Sequence, residues 1–475
     1  MNVLHHAGLS LSYASIATMI TTLANRSIEE ARLVGSGPHA LAYDNINLST
    51  SIFVEQGPNM ASKVQSGTFA VIYELCNAKA EDLKIEPLIH NLTNASLLEL
   101  SDLRLSHAAR TSYFQQTLIN ITKILFRYVD GFDTIMADPR LQHHSRRALP
   151  KGYQTKFHPL RATTIEEASI RGNMLVHDDV YTVQLQRNAS DLSSLAIPTI
   201  NDQLTNARIR GAQEIRRKDV NAWERREVFQ LGFGIFHFLM NFIWALLETH
   251  RGKLSDSGSL THFFAILEKT RLGGEHPDYH TLLAALTQVI HGLILNAWRK
   301  ECGFSSLDAF AKSQPTVDQI LVCAHTIAVK YTIPASPLTP LKPKPDLKTK
   351  RVLNLVEDDP SSDSGSDDLN GNDSASTANP DNTFENVTRL TRDLLYVLEI
   401  VDAVATGDFG RVEDILPDIA CVFKGAGSNN YSAEVLHFIF NVKQVWTPEF
   451  AYAITCFFFF LNTALTEVFK EYYAR

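Results

Sequence analysis

The sequence predicts a mixed α/β (α+β) fold, and three observations lead there. Short apolar runs bounded by Gly, Pro and Asn occupy the first half of the chain. Helical periodicities fill the second half. An acidic segment without aromatics interrupts that helical half. Runs of strands followed by runs of helices point to a sheet-based core with a helical appendage or insertion. The chain has 475 residues, which allows about two to four domains at roughly 100–200 residues each. The expected division is an α/β core over 1–250, helices over 251–335, a disordered acidic linker over 336–385, and a helical region over 386–475 that completes the core.

The elements follow in order. His39–Tyr43, Ser51–Val54 and Thr68–Leu75 read as three successive strands. Phe114, Leu118, Ile121, Leu125 and Tyr128 recur at spacings of four and three, which is one face of a long helix. Asp130–Arg171 is polar and shows little periodicity. Leu195–Ile200 reads as a strand, with Pro198 arguing against a central, fully paired position because it lacks an N–H. Val228–Phe236 reads as a further strand and Met240–His250 as a helix. Leu260–Leu267, His280–Trp298 and Val317–Tyr331 are helical, as are Val387–Val404, Val412–Phe423, Ser432–Val442 and Pro448–Tyr473. Between them, Ser336–Asp381 is rich in Pro, Ser, Asp and Lys, and such a segment cannot bury enough apolar surface to order itself.

Composition narrows the function classes. Hydrophobic residues make up 45% and charged residues 20%, as in an ordinary globular protein. The net charge is -8, and the eight acids of Glu357–Asp381, with no Lys or Arg among them, account for all of it. The remainder is therefore close to neutral, which argues against a generally basic nucleic-acid binder but leaves room for a local basic face. Five cysteines without a CxxC pair give no disulfide framework or zinc ribbon and fit a reducing compartment, cytosol or nucleus. Met1–Ala7 lacks the features of a signal peptide. Phe229–Leu247 is interrupted by Gln230, His237 and Asn241, and Ala451–Leu461 is too short to span about 30 Å of hydrocarbon, so both are expected in the core and no membrane partner is expected. GxxxxGK[ST], GxGxxG, HExxH and GxSxG are absent.

The candidate chemistry lies in acids placed where strands stop. Asp44 follows His39–Tyr43 directly, and Asp202 follows Leu195–Asn201. In an open sheet such positions border the crevice where ligands bind. Two neighbouring carboxylates repel unless a cation sits between them, and hard oxygen ligands suit Mg²⁺ or Mn²⁺. A third acid would complete a two-metal site for phosphoryl transfer. Glu434, expected in the first turn of a helix after the loop Lys424–Asn430, is the candidate. The plainer alternative is that Asp44 and Asp202 cap turns or helices and Glu434 is a helix-start acid. His177-Asp178-Asp179 is a rival metal site, or a solvated turn.

These residues carry a resemblance. Tyr43-Asp44-Asn45-Ile46-Asn47, Asp202-Gln203-Leu204-Thr205 with Arg208-Ile209-Arg210-Gly211-Ala212, Gly234-Ile235-Phe236-His237, and Asn430-Tyr431-Ser432-Ala433-Glu434 occur in this order. The chain resembles a fungal family of unknown function, number six-five-eight-nine, common in mushroom-forming fungi, over nearly its whole length except the linker. That family in turn resembles DDE transposases, whose ribonuclease-H-like mixed sheet is interrupted by a large helical insertion. The resemblance implies that Asp44, Asp202 and Glu434 are the catalytic acids and the ligands of Mg²⁺ or Mn²⁺. It implies DNA strand cleavage or transfer as the activity, DNA as partner and the nucleus as location, with the cytoplasm as alternative. His237 is either a residue supporting the site or a buried histidine satisfied by a backbone carbonyl. The family often has Gly where Asn201 precedes Asp202, which would alter the local turn. No zinc finger or helix-turn-helix module is found, so a truncated or domesticated copy without activity is a further expectation; a homo-oligomer is left open.

Two basic segments flank Asp202. Arg208, Arg210, Arg216, Arg217 and Lys218, followed by Arg225 and Arg226, are candidate DNA contacts. Arg140, Arg146, Arg147, Lys151, Lys156, Arg161 and Arg171 precede it. Each set equally suits a solvated helix face with Glu214, Asp219 and Glu224 as partners. Few aromatics lie among these charges, which gives little support to single-strand stacking there. The competing function is a non-catalytic DNA- or protein-binding protein on the same scaffold.

Overall fold

A computed structural model describes residues 11–49, 64–75, 77–334 and 382–457. The expected strand Ser51–Val54, the linker up to Asp381 and the helix beyond Phe457 lie outside these residues. Five strands, β1 (His39–Ser49), β2 (Val64–Glu74), β3 (Phe157–Pro159), β4 (Ile197–Asn201) and β5 (Phe229–Phe233), form one mixed sheet in the order β3-β2-β1-β4-β5. β2 is antiparallel to both β1 and β3, whereas β1, β4 and β5 run parallel.

The alternation of side chains along β1 sorts the two faces. Ala40 and Ala42 face one hydrophobic core, and Leu41 and Tyr43 face another. Tyr73, Ile200 and Phe233 join the first core, and Ile72, Ile197 and Leu231 the second. A sheet buried on both faces needs helices on both, and the chain supplies them. On the second face lie α1 (Tyr13–Val34), α4 (Ile170–Asp178) and α5 (Gln203–Ile215), through Ile28, Val176 and Ile209. On the first lie α2 (Ile85–Asn94), α3 (His107–Tyr128) and α6 (Ile235–His250). The same continuous core takes in α7 (Leu260–Ile266), α8 (Tyr279–Glu301), α9 (Leu307–Lys312) and α10 (Val317–Thr332). It closes with α11 (Asn382–Thr406), α12 (Phe409–Glu413), α13 (Leu416–Gly425), α14 (Asn429–Phe440) and α15 (Pro448–Phe457).

Several sequence expectations are corrected here. β1 does not stop at Tyr43: all eleven of its residues pair with β2, because backbone hydrogen bonds accept Asn45 and Asn47 as readily as apolar residues. β4 is internal despite Pro198. Ile197 donates to Val228 beside β5, so the next N–H would face β1, and pairing with β1 begins only at Thr199. The run Val228–Phe236 divides at Gly234 into β5 and α6, which begins five residues before Met240. An apolar stretch fits both periods, so its junction was not visible. Val412–Phe423 is two helices, broken before Pro417. Residues 382–385 belong to α11 rather than to the linker. The N-terminal helix α1, capped by Ser12, and the short edge strand β3 were not expected. Among the described residues one helix, α8, has the length and hydropathy to cross a membrane, and most of its apolar window is buried within the fold.

Buried charges fasten the helices that follow the acidic segment to those that precede it. Arg411 on α12 and Glu399 on α11 are each 1% exposed and pair at 2.7 Å. Asn120 of α3 donates to the other Glu399 oxygen at 2.7 Å. Asp408 accepts from the backbone N–H groups of Arg146 and Arg147, both at 2.7 Å, and Arg146 also pairs with Asp414. Removing one partner of a buried pair strands the other. Arg411→Met is expected to cost about 3–5 kcal/mol of unfolding free energy, with part recovered when Glu399→Gln is added; urea denaturation of the three chains checks this.

Candidate functional site

The parallel register places two acids side by side. Ala42 of β1 pairs with Ile200 of β4, and Asp44 and Asp202 each lie two residues beyond that pair. Period-two alternation keeps Asp44 on the face of Ala40 and Ala42, at the point where the helical layer stops covering it. Asp44 is 66% exposed. Asp202 leaves β4 to cap α5, its Oδ1 accepting from Thr205 N at 2.7 Å. The capping alternative is therefore true of Asp202, yet its carboxylate also lines a cavity of about 480 Å³ together with Asp44. Ala42, Val71, Tyr73 and Ile200 form the apolar side, and Phe236, His237 and His280 come from α6 and α8. Asn201, at the position where Gly was expected, ties the edge together. Its Oδ1 accepts from Tyr43 N at 3.4 Å and its carbonyl from Gly234 N at 2.8 Å.

His237 stands over Asp44, with Nε2 3.7 Å from Oδ2. Asp44 is the largest influence raising its pKa; partial burial opposes, and Asp202 and Glu167 add to the rise.

Glu167 was missed. It lies in the loop before α4, whose N-cap Ser169 accepts from Gly172 N at 2.9 Å. A Cβ on Gly172 would collide with the carbonyl oxygen of Glu166, so glycine is what lets this loop close onto the helix. The Glu167 carbonyl accepts from Asn173 at 2.7 Å and Arg208 at 3.2 Å. Its side chain is 1% exposed and Oε2 has no hydrogen-bond partner among the described residues. Burial, then the charges of Asp202 and Asp44, push its pKa up to about 8, with a Thr205 hydrogen bond opposing. In sequence Glu166-Glu167 looks like any acid pair ahead of a helix, and no spacing marks it out.

Glu434 is placed differently from the other two predicted acids. It lies beyond the first turn of α14, which starts at Asn429, so the expected help from the helix N-terminus is replaced by Arg210. Glu434 is 3% exposed. Its Oε1 accepts from Asn206 at 2.8 Å and Arg210 at 3.2 Å, and Oε2 pairs with the second Arg210 nitrogen. It does not line the cavity shared by Asp44 and Asp202. Among the described residues no group of three or more His, Cys, Asp or Glu side chains is placed to hold a metal ion together.

The rival run His177-Asp178-Asp179 ends α4 and points three ways. His177 is buried against Tyr43 and Phe229, Asp178 pairs with Arg226, and Asp179 accepts from Gln184. The solvated-turn reading is corrected for His177. The basic segments are largely paired as well. Arg210 holds Glu434, Arg216 holds Asp219 and Glu224, and Arg217 holds Glu214, while Lys218 is exposed. Arg208 is the cation of this segment that reaches the loop carrying Glu167.

A family of unknown function, DUF6589, matches residues 92–467, and the chain belongs to it. Asp202, Glu167, His237 and Glu434 fall inside the matched region, and Asp44 with β1 and β2 falls outside it. No curated protein and no solved structure matches the chain.

A carboxyl whose folded pKa is raised binds more protons folded than unfolded, so it lowers stability as pH climbs from about 4.5 to 8. Glu167→Gln is therefore expected to raise the thermal midpoint at pH 8 by more than at pH 5. An equal shift at both pH values would show that Glu167 is not held neutral.

Proposed function

We propose that this member of a family of unknown function is a transposase-like protein with a ribonuclease-H-like core, acting on a DNA phosphodiester at the Asp44/Asp202 cavity. The observation that carries this reading is that those two acids, 158 residues apart in sequence, line one cavity just past the point where the parallel pairing of β1 with β4 ends. The strand order β3-β2-β1-β4-β5, with β2 antiparallel, supports the same core.

A divalent cation fits part of the predicted donor set. Asp44 and Asp202 are hard oxygen donors facing one cavity, with the unpartnered Oε2 of Glu167 buried nearby. Glu434 does not fit as arranged, because Arg210 already neutralises it. Bound by the two aspartates, Mg²⁺ or Mn²⁺ would supply charge stabilisation at the phosphate. The chain's own residues do the rest. The Thr205 N–H fixes Asp202, and Asn201 ties β4 to β1 by accepting from Tyr43 N. His237 stands beside Asp44, whose carboxylate raises its pKa, and borders the cavity. Ala42, Val71 and Ile200 give the cavity an apolar side.

The engagement of Glu434 by Arg210 and Asn206 favours a second reading, a non-catalytic DNA- or protein-binding protein on this scaffold. The two readings separate on one substitution. Asp202→Asn keeps a good helix cap, so the fold should hold while Mn²⁺-dependent cleavage of DNA falls by about 10²–10³-fold, the scale of losing one charge-stabilising group. Absence of cleavage by the wild-type chain on single- and double-stranded DNA would leave the binding reading.

A further inference from the structure

We propose that the cavity beside Asp44 and Asp202 holds one nucleobase lifted out of its stack, with Phe69 as its stacking surface. This rests on the reading of that cavity as a phosphodiester site and names what it does with the nucleotide next to the reacting bond.

The register builds the pocket. Phe69 pairs with Asp44, Val71 with Ala42 and Tyr73 with Ala40, so three large residues of β2 stand on the same face as two alanines of β1. The small side chain of Ala42 leaves a depression alongside that stripe. Phe236 borders it from α6. The resulting space of about 480 Å³ falls within the range of about 300–1,000 Å³ typical of small-molecule sites. It is far too narrow for a duplex, so only a base that has left its stack can enter.

Its lining has the wrong character for a site that binds phosphate alone. Phosphate recognition asks for cations and N–H donors, whereas Phe69, Val71, Tyr73, Ile200 and Phe236 are apolar. Its polar lining comes from Asp44, Asp202 and His237, with Asn201 and His280. Apolar and aromatic walls with carboxylates at the mouth match a flat heterocycle inside and its cation-bridged phosphate outside. Phe69 is 38% exposed although it lies within a paired strand. A phenyl ring left partly open at the rim is free to take a base on its face, and such stacks tolerate any base identity. The basic segments carry few aromatics; the stacking surface comes from β2 and α6 instead.

The test uses the full chain, calcium as a cation expected not to support cleavage, and a short fluorescein-labelled single-stranded DNA in which each nucleotide in turn is made abasic. Removal of the base at one position should weaken wild-type binding by about 5- to 100-fold, the range of one base–aromatic stack. In Phe69→Ala the intact DNA should bind as weakly as that abasic strand does to wild type, with no further loss on removing the base. Val71→Phe, which fills the depression while keeping an apolar residue, should give the same flat profile. A wild-type profile that is flat at every position overturns the proposal. The site reading is scored separately, by Mn²⁺-dependent cleavage. Cleavage with a flat profile leaves the phosphodiester site standing without a base pocket, and a position-specific loss without cleavage supports the pocket and removes the nuclease.

Discussion

β1 is paired on both edges and buried on both faces over its first half, and the placement of the site follows from that constraint. Leu41 and Tyr43 enter the layer of α1 and α4, while Ala40 and Ala42 face the helical layer. A slip of one residue would exchange the two sets, driving Asp44 into the apolar layer and exposing Tyr43. The register is thus specified by hydrophobic burial, and Asp44, two residues beyond Ala42, is carried to the cavity by the same alternation. Parallel pairing with β4 then fixes where Asp202 must emerge.

The charged residues of this chain are arranged by the cost of burying them. Among the described residues, charges taken out of water are met by an opposite charge or several donors: Arg411 with Glu399, Arg226 with Asp178, Arg210 with Glu434. These pairs join elements that are far apart in sequence, and their chief contribution is to fix one arrangement of the helices rather than to add much net stability. Glu167 is the exception. It is buried beside two aspartates with one oxygen unpartnered, and it avoids the full penalty by keeping its proton. Its burial and raised pKa beside the Asp44 and Asp202 carboxylates set it apart from the structural ion pairs elsewhere.

Much of the fold was legible in the sequence. The amphipathic stripe from Phe114 to Tyr128, the helices after His250 and the strands around Leu41, Ile72 and Ile200 were visible as period or burial. The junction at Gly234 was hidden because a uniformly apolar run satisfies both periods, and β3 because three residues carry no period at all. At the site, Asp44 and Asp202 were legible because each follows an apolar run. Glu434 was legible as a helix residue but not as the partner of Arg210, since nothing local relates residues 224 positions apart. Glu167 was invisible for the same reason: its character comes from burial beside Asp44 and Asp202, which only the tertiary fold creates.

The central claim is that Asp44 of β1 and Asp202, just past β4, form one cation-binding carboxylate pair. The most direct measurement is the anomalous difference map of crystals of the full chain soaked in Mn²⁺. A peak between the Asp44 and Asp202 side chains, lost in Asp44→Asn crystals, is the predicted result. Manganese bound at other carboxylates, with that position empty, would contradict the claim.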